Sequence, residues 1–259
     1  MTTATPPSVR LLLLGATGAT GQQALKAALE SPDVTTVLTF GRSAPKVDDG
    51  VSTAKLQHTA LDFEALLQED GKGTEAAKLR DASADAVLVT LGTTRKNAGS
   101  AEKFERIDRE YVLAAAKAAR REDKPEQRVV YLSSAGSSAT SSFLYPRSKG
   151  LTEQGLADLG YAETVIFRPG YLVVPGGRGE TRIAESIFGS VTNLASSFTN
   201  RLQIPTPVLG TALVKASSLT LETLKVPAFG ANETLAGKPV WALGNAQALA
   251  LGGATSAKV

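Results

Sequence analysis

The chain has 259 residues, 42% of them hydrophobic and 20% charged, which suits one α/β domain with a buried sheet and is short for two independent domains. It has no cysteine, which excludes disulfides, thiolate metal sites and a cysteine nucleophile; its single histidine, His58, argues against a Ser-His-Asp triad or a multi-histidine metal site. The net charge of +3 comes without a basic run interleaved with aromatics, so nucleic acid is not implied, and no apolar run approaches the ~18 residues of a membrane span.

Residues 1–8 form a polar lead-in stiffened by Pro6 and Pro7. The segment from Met1 to Val9 has neither the Arg-rich amphipathic character of a transit peptide nor the apolar core of a signal peptide, so the expected location is cytoplasmic, with at most peripheral membrane contact. Val9 to Leu14 is a nearly continuous apolar run ending at Gly15, as in a buried parallel strand. Thr20 to Ser31 has helical spacing, with Leu25, Ala28 and Leu29 on one stripe, and stops at Ser31-Pro32. Val34 to Phe40 is rich in β-branched residues and predicts a second strand. A weaker strand is expected near Leu56 to Leu61, a helix from Phe63 to about Gln68, and polar helix and loop from there to Ser83. Ala86 to Leu91 reads as a buried strand. Ala101 to Arg121 reads as one long helix with Phe104, Ile107, Tyr111, Val112 and Ala115 inward. Arg128 to Leu132 (strand), Tyr145 to Leu159 (helix) and Glu163 to Phe167 (strand) complete the alternation. This order predicts a doubly wound parallel sheet with helices on both faces, the Rossmann architecture. After Gly170 the pattern loosens. We expect a loop at Gly176 to Gly179, helices at Arg182 to Ile187 and Leu209 to Leu224, and a short strand at Val240 to Leu243. These make residues 171–259 a small cap of the same domain, over the carboxyl ends of the strands.

The first turn carries the clearest chemistry. Gly15-Ala16-Thr17-Gly18-Ala19-Thr20-Gly21 has the spacing G-x-x-G-x-x-G between a buried strand and a helix. Glycine permits the tight turn and lets a pyrophosphate approach the backbone, while the following helix offers free N–H groups and its positive dipole end. Gly15, Thr17, Gly18, Ala19, Thr20 and Gly21 are therefore candidate dinucleotide contacts. The second strand ends Thr39-Phe40-Gly41-Arg42-Ser43, without the acid that would bond an NAD ribose hydroxyl. Arg42 can pair with a 2′-phosphate, Ser43 can add a hydrogen bond and Lys46 more positive field, so NADPH is the expected cofactor. Asp62 can face the adenine amino group or cap the helix that starts at Phe63. Leu91, Gly92 and Thr93 end the fourth strand, where the chain passes under the cofactor and a glycine permits close approach.

Tyr145 and Lys149 stand four apart at a helix start, with Pro146 in its first turn. A lysine ammonium beside the tyrosine favours the phenolate, so a lowered Tyr145 pKa is expected, suited to acid–base work nearer neutrality. Ser133 and Ser134 end the preceding strand, and one of the two hydroxyls can hold a substrate carbonyl; Ser134 is favoured.

Together these residues resemble the short-chain dehydrogenase/reductase superfamily in its atypical branch. Leu91-Gly92-Thr93-Thr94-Arg95, Asp108 with Tyr111-Val112-Leu113, Leu132-Ser133-Ser134, Phe143-Leu144-Tyr145 with Lys149-Gly150, and Phe167-Arg168-Pro169-Gly170 are similar to the Tat-interacting oxidoreductase family. The ending Val240-Trp241-Ala242-Leu243-Gly244 is similar to its fungal branch, known from the mitochondrial proteome. The resemblance implies NADPH at the glycine turn, with Arg168 and Pro169 among its contacts, and a Tyr145/Lys149 pair. For the fungal branch it also implies peripheral attachment to the mitochondrial outer membrane. Two departures stand out. Leu91-Gly92-Thr93-Thr94 replaces the superfamily's usual Asn-Asn-Ala-Gly, and the loop Pro175 to Thr181 keeps only part of the acidic-arginine pattern of the animal members. The expected activity is hydride transfer between NADPH and a small carbonyl compound, with Ser134, Tyr145 and Lys149 catalytic. The alternative is a non-catalytic NADPH-binding regulator that recruits a protein partner.

Overall fold

The computed structural model describes residues 8–175, 203–219 and 231–253. Its centre is the strand β1 (Val9–Leu14), whose leucines Leu11 to Leu14 are all fully buried. Leu11 and Leu13 face one layer of helices, Leu12 and Leu14 the other, so a run that is apolar at every position occupies the middle of a two-sided sheet. Around it lie β2 (Val34–Gly41), β3 (Leu56–Ala60), β4 (Ala86–Val89), β5 (Arg128–Leu132) and β6 (Glu163–Arg168). Two late strands, β9 (Ala231–Leu235) and β10 (Lys238–Gly244), complete an eight-stranded sheet in the order β3-β2-β1-β4-β5-β6-β10-β9. All neighbours pair in parallel except β9 and β10, a hairpin turning at Ala236 and Gly237, both with positive φ. A separate parallel ribbon joins β7 (Tyr171–Val173) to β8 (Gln203–Pro205). The strand order reverses direction between β1 and β4, and such switch points open a crevice at the carboxyl ends of the strands. Gly15, Gly41 and Leu91 follow or end the three strands that meet there.

On one face, α1 (Ala19–Glu30) packs with two late helices. The other face holds α2 (Phe63–Gln68), α3 (Thr74–Asp81), the short α4 (Arg95–Ala98), α5 (Ala101–Glu105), α6 (Tyr111–Ala119) and α7 (Leu144–Asp158). The late helices are α8 (Thr206–Ser218) and α9 (Asn245–Leu251). The part of the chain after Gly170 thus does more than cap. Its strand β10 pairs with β6, and α8 lies against α1, because Val240, Leu243, Leu209 and Leu213 are apolar enough to complete the core. The expected loop Gly176 to Gly179, the helix Arg182 to Ile187 and the end of the helix to Leu224 lie outside the described residues.

The long helix expected from Ala101 to Arg121 is not uniform. Residues Arg106–Glu110 form a π-helical stretch between α5 and α6, and Asp108 in that stretch is wholly buried. π turns are rare and concentrate at functional sites.

The glycine-turn helix is held in place by close backbone approach. A Cβ on Gly210 of α8 would fall 2.7 Å from the backbone carbon of Gln23. Gly210→Ala should therefore lower stability by about 1–3 kcal/mol, as overpacking does, measured as a reduced urea midpoint. In an open helix the same change would raise stability by roughly 1 kcal/mol, and that outcome would show that the two helices do not meet there.

Candidate active site

The turn after β1 satisfies the demands of a phosphate cradle. Gly15 sits at φ +87°, and a Cβ there would lie 2.5 Å from the Leu91 nitrogen; on Gly21 it would lie 2.0 Å from the Gly15 carbonyl oxygen. These two glycines are required by the protein itself. Gly18 differs. It is exposed, and a Cβ on it would come no nearer than 3.4 Å to any protein atom, so its missing side chain leaves space for a ligand. Gly18 is also the N-cap of α1, which has no side-chain cap and no acid in its first turn. The leading N–H groups of Ala19, Thr20 and Gly21 are thus left to an anion.

A small cavity of about 80 Å³ adjoins this turn and brings Gly15 and Thr17 together with Arg42, Ser43 and His58; no described residue lining it is acidic. A larger cavity of about 520 Å³ continues past Arg42 and Leu91 to Asp62, Lys78 and Tyr111. Its other charges are largely matched: Glu64 accepts from Arg106 and the Tyr111 hydroxyl, and Glu75 pairs with Lys78 at 2.6 Å. Arg106 and Lys78 respectively hold these two carboxyls below the usual range. Arg42 is exposed and makes no ion pair with a described residue. Asp62 is the N-cap of α2, its Oδ1 accepting from the Glu64 and Ala65 backbone at 2.9 and 3.1 Å, and it also lines the larger cavity. Lys46 lies away from both cavities, in a hollow beside Gln22 and Lys26 of α1. The phosphate-side residues therefore fit a dinucleotide.

Across the crevice, β5 delivers Ser133 and Ser134, both buried, and α7 delivers Tyr145 and Lys149. The structure separates the two serines. The Ser133 hydroxyl donates to Glu153 and touches the Ser137 hydroxyl at 3.0 Å, whereas the Ser134 hydroxyl donates to the Ala135 carbonyl at 3.4 Å and acts to lower the pKa of the Tyr145 phenol. Tyr145 is partly exposed, with its ring 6.0 Å from that of Phe104. Lys149 is buried. Its Nζ lies 3.1 Å from the Tyr131 hydroxyl and 3.1 Å from Asp108 Oδ1, and 6.0 Å from the centre of the Tyr145 ring.

The electrostatics correct one expectation. Burial pushes the Tyr145 phenol above its ordinary pKa; Lys149 and Ser134 pull it down, but Asp108 pushes up as well, and the net direction is upward rather than downward. For Lys149, burial works against the charge, yet Asp108 and the two tyrosines outweigh it and hold the ammonium well above an ordinary lysine. Sequence alone gives Asp108 and Tyr131 no role in the site, although Asp108 belongs to a family-like stretch and stands four residues from both Phe104 and Val112.

Arg168 serves as a clamp. Its guanidinium bonds Glu153 at 2.7 and 3.0 Å and Glu233 at 2.8 and 3.1 Å, tying the end of β6 to α7 and to the edge strand β9. The Pro169 carbonyl accepts from the Ala135 N–H at 2.8 Å, which anchors the loop after Ser134. Gly92 packs against the Lys149–Asp108 pair, and the Thr93 side chain reaches only the next residue's carbonyl. Among the described residues no cluster of His, Asp and Glu could hold a metal ion, and no helix is long and apolar enough to cross a membrane.

A parallel sheet that switches direction over a glycine turn is a Rossmann-type fold. Solved structures share this fold. A nucleoside-diphosphate-sugar epimerase from Agrobacterium tumefaciens superposes with a TM-score of 0.60 at 16% identity, over 86% of this chain and 74% of that one. A short chain dehydrogenase/reductase from Saccharomyces cerevisiae does so with 0.58 at 16% identity, over 92% and 96%. MoeE5, solved with UDP-glucose and NAD, reaches 0.56 at 14% identity, over 81% and 72%. No family model matches the chain. Curated fungal proteins do: mitochondrial FMP52 of Candida albicans is 36% identical over 72% of this chain and 75% of its own length. Mitochondrial fmp52 of Aspergillus clavatus is 31% identical over 93% and 97%. The chain belongs to the FMP52 family.

Burial raises the phenols of Tyr131, Tyr145 and Tyr161 in the folded state. Groups raised in this way contribute stability below the unfolded tyrosine pKa of about 10, and lose it as pH rises through the folded values. A tyrosinate absorbance titration should show these three phenols silent at pH ~10 in native protein but ionising together in urea, with stability falling steeply above that pH. Normal titration of all tyrosines in the native protein would contradict the packing described.

Proposed function

We propose that this protein is an NADPH-dependent oxidoreductase that reduces a small carbonyl compound. The observation that carries this reading is the grouping of Lys149 with the Tyr145 ring at 6.0 Å, close to Gly92, the neighbour of the Leu91 backbone on which Gly15 of the glycine turn packs. When bound, the reduced nicotinamide supplies the hydride. Tyr145 gives its phenolic proton to the substrate oxygen as negative charge develops there, and the Ser134 hydroxyl donates a hydrogen bond to the same oxygen. A phenol that stays protonated well into the alkaline range suits a donor, and its partial exposure leaves it open to substrate. Lys149 stabilises the tyrosinate left behind. Arg42, unpaired at the junction of the two cavities, supports NADPH over NADH, because a guanidinium matches a 2′-phosphate and β2 ends without an acid. We assign the protein to mitochondria on the names of its FMP52 relatives; peripheral attachment to the outer membrane is what the resemblance to the fungal branch adds.

Tyr145→Phe should reduce turnover with NADPH across a carbonyl panel by about 10²–10⁴-fold, while NADPH affinity measured by calorimetry stays near that of the wild type. Undiminished turnover would remove Tyr145 from the chemistry. A wild-type protein that binds NADPH but turns nothing over would shift the reading to a regulator recruiting a protein partner when loaded. Arg42→Ala should weaken NADPH by about tenfold or more, in line with losing a charged hydrogen bond of roughly 1.5–3 kcal/mol, and leave NADH affinity unchanged. Equal losses for both cofactors would strip Arg42 of the 2′-phosphate.

A further inference from the structure

The ion pair beneath the site adds Asp108 to the Ser134, Tyr145 and Lys149 set. Lys149 Nζ and Asp108 Oδ1 stand 3.1 Å apart, their side chains 7% and 0% exposed. The contact is ionic rather than a well-aligned hydrogen bond, since neither Asp108 carboxylate oxygen has a hydrogen-bond partner although both are buried. The two charges come from different elements, Lys149 from α7 and Asp108 from the π turn between α5 and α6. Gly92, at the exit of β4, makes room for them. A Cβ there would fall 2.9 Å from Asp108 Oδ1 and 3.4 Å from Lys149 Nζ. The groups facing the ammonium are Asp108, Tyr131 from β5 and Tyr145 from its own helix, and Asp108 is the one carboxylate among them.

We infer that Asp108 is a positioning residue of this site: its carboxylate seats the Lys149 ammonium and cancels the charge that Lys149 would otherwise set beside Tyr145, so that Tyr145 rests as the proton-bearing phenol. The inference rests on the reading of Tyr145 as the proton donor, and it deepens that reading by giving it a direction. With both ionic partners present the buried cluster is neutral and keeps its phenolic protons, the resting state needed for carbonyl reduction. Alcohol oxidation would need the phenolate instead. Without Asp108 the cluster carries one uncompensated positive charge in a site screened from water, and its first proton leaves at lower pH, whichever group carries it.

The test uses the full chain without cofactor, lysines labelled with ¹³C at Cε, and tyrosinate absorbance followed in parallel; Lys149→Met identifies the Lys149 signal. In wild type, Lys149 should stay charged through the pH range in which ordinary lysines titrate, about 10.4. In Asp108→Asn, the first deprotonation of the cluster, by the Lys149 signal or by tyrosinate lost in Tyr145→Phe, should fall by about one pH unit or more, a tenfold rise in acidity. A Lys149 that titrates at or below an ordinary lysine in wild type overturns the inference, and this measurement stands even if Asp108→Asn does not fold. So does an Asp108→Asn titration that matches wild type. If both titrations come out as expected while Tyr145→Phe still reduces carbonyl substrates, Asp108's control of the cluster stands and the reading of Tyr145 as the proton donor falls.

Discussion

A lysine ammonium buried between a sheet and its helices must be neutralised where it stands, because removing a charge from water costs several kcal/mol unless a partner compensates. Lys149 meets that constraint through Asp108 and the Tyr131 hydroxyl, and much of the local architecture follows. The helix that brings Asp108 must come close to α7. The strand exit above the pair must be glycine, as it is at Gly92. The tyrosine next to the lysine then feels a compensated charge, so desolvation governs its proton. Removal of one partner from a pair this deeply buried costs about 3–5 kcal/mol in typical cases, so the arrangement links the fold's stability to the chemistry of the cleft.

A second polar chain runs in parallel. Ser133 bonds Glu153, Glu153 bonds Arg168, and Arg168 bonds Glu233 at the sheet edge. It fixes the end of β5, and with it the adjacent Ser134, to elements far apart in sequence. One serine is thereby spent on structure and its neighbour is left to face Tyr145. The chain leaves β5 after Leu132, and the two hydroxyls take different partners.

The sequence made the sheet legible because β1, β4 and β6 are apolar on both faces and each is bounded by a helix pattern. The glycine turn was legible because its spacing, the strand before it and the helix after it agree. Edge features were harder. Strand β9, Ala-Asn-Glu-Thr-Leu, lacks the periodicity of a buried strand and is held by pairing with β10 and by Arg168 on Glu233. Strands β7 and β8 have three residues each, too few for any pattern. In the site, the Tyr145–Lys149 spacing was visible because i and i+4 share a helix face. The counter-charge was not, since Asp108 lies 41 positions away and only tertiary packing brings it to Lys149. The direction of the Tyr145 pKa was misjudged for the same reason: a pairwise argument from Lys149 omits both burial and the third charge.

The π turn at Arg106–Glu110 also acts as a phase shifter. A π turn holds more residues than an α turn, so the helix leaves it rotated relative to how it entered. Upstream, the inward side is set by Phe104 against Tyr145; downstream, it is set by Val112 and Ala115 beneath the sheet. A uniform α-helix has one inward stripe, and an acid on that stripe would displace an apolar contact. Here the π turn lies between the two segments, and Asp108 within it is wholly buried.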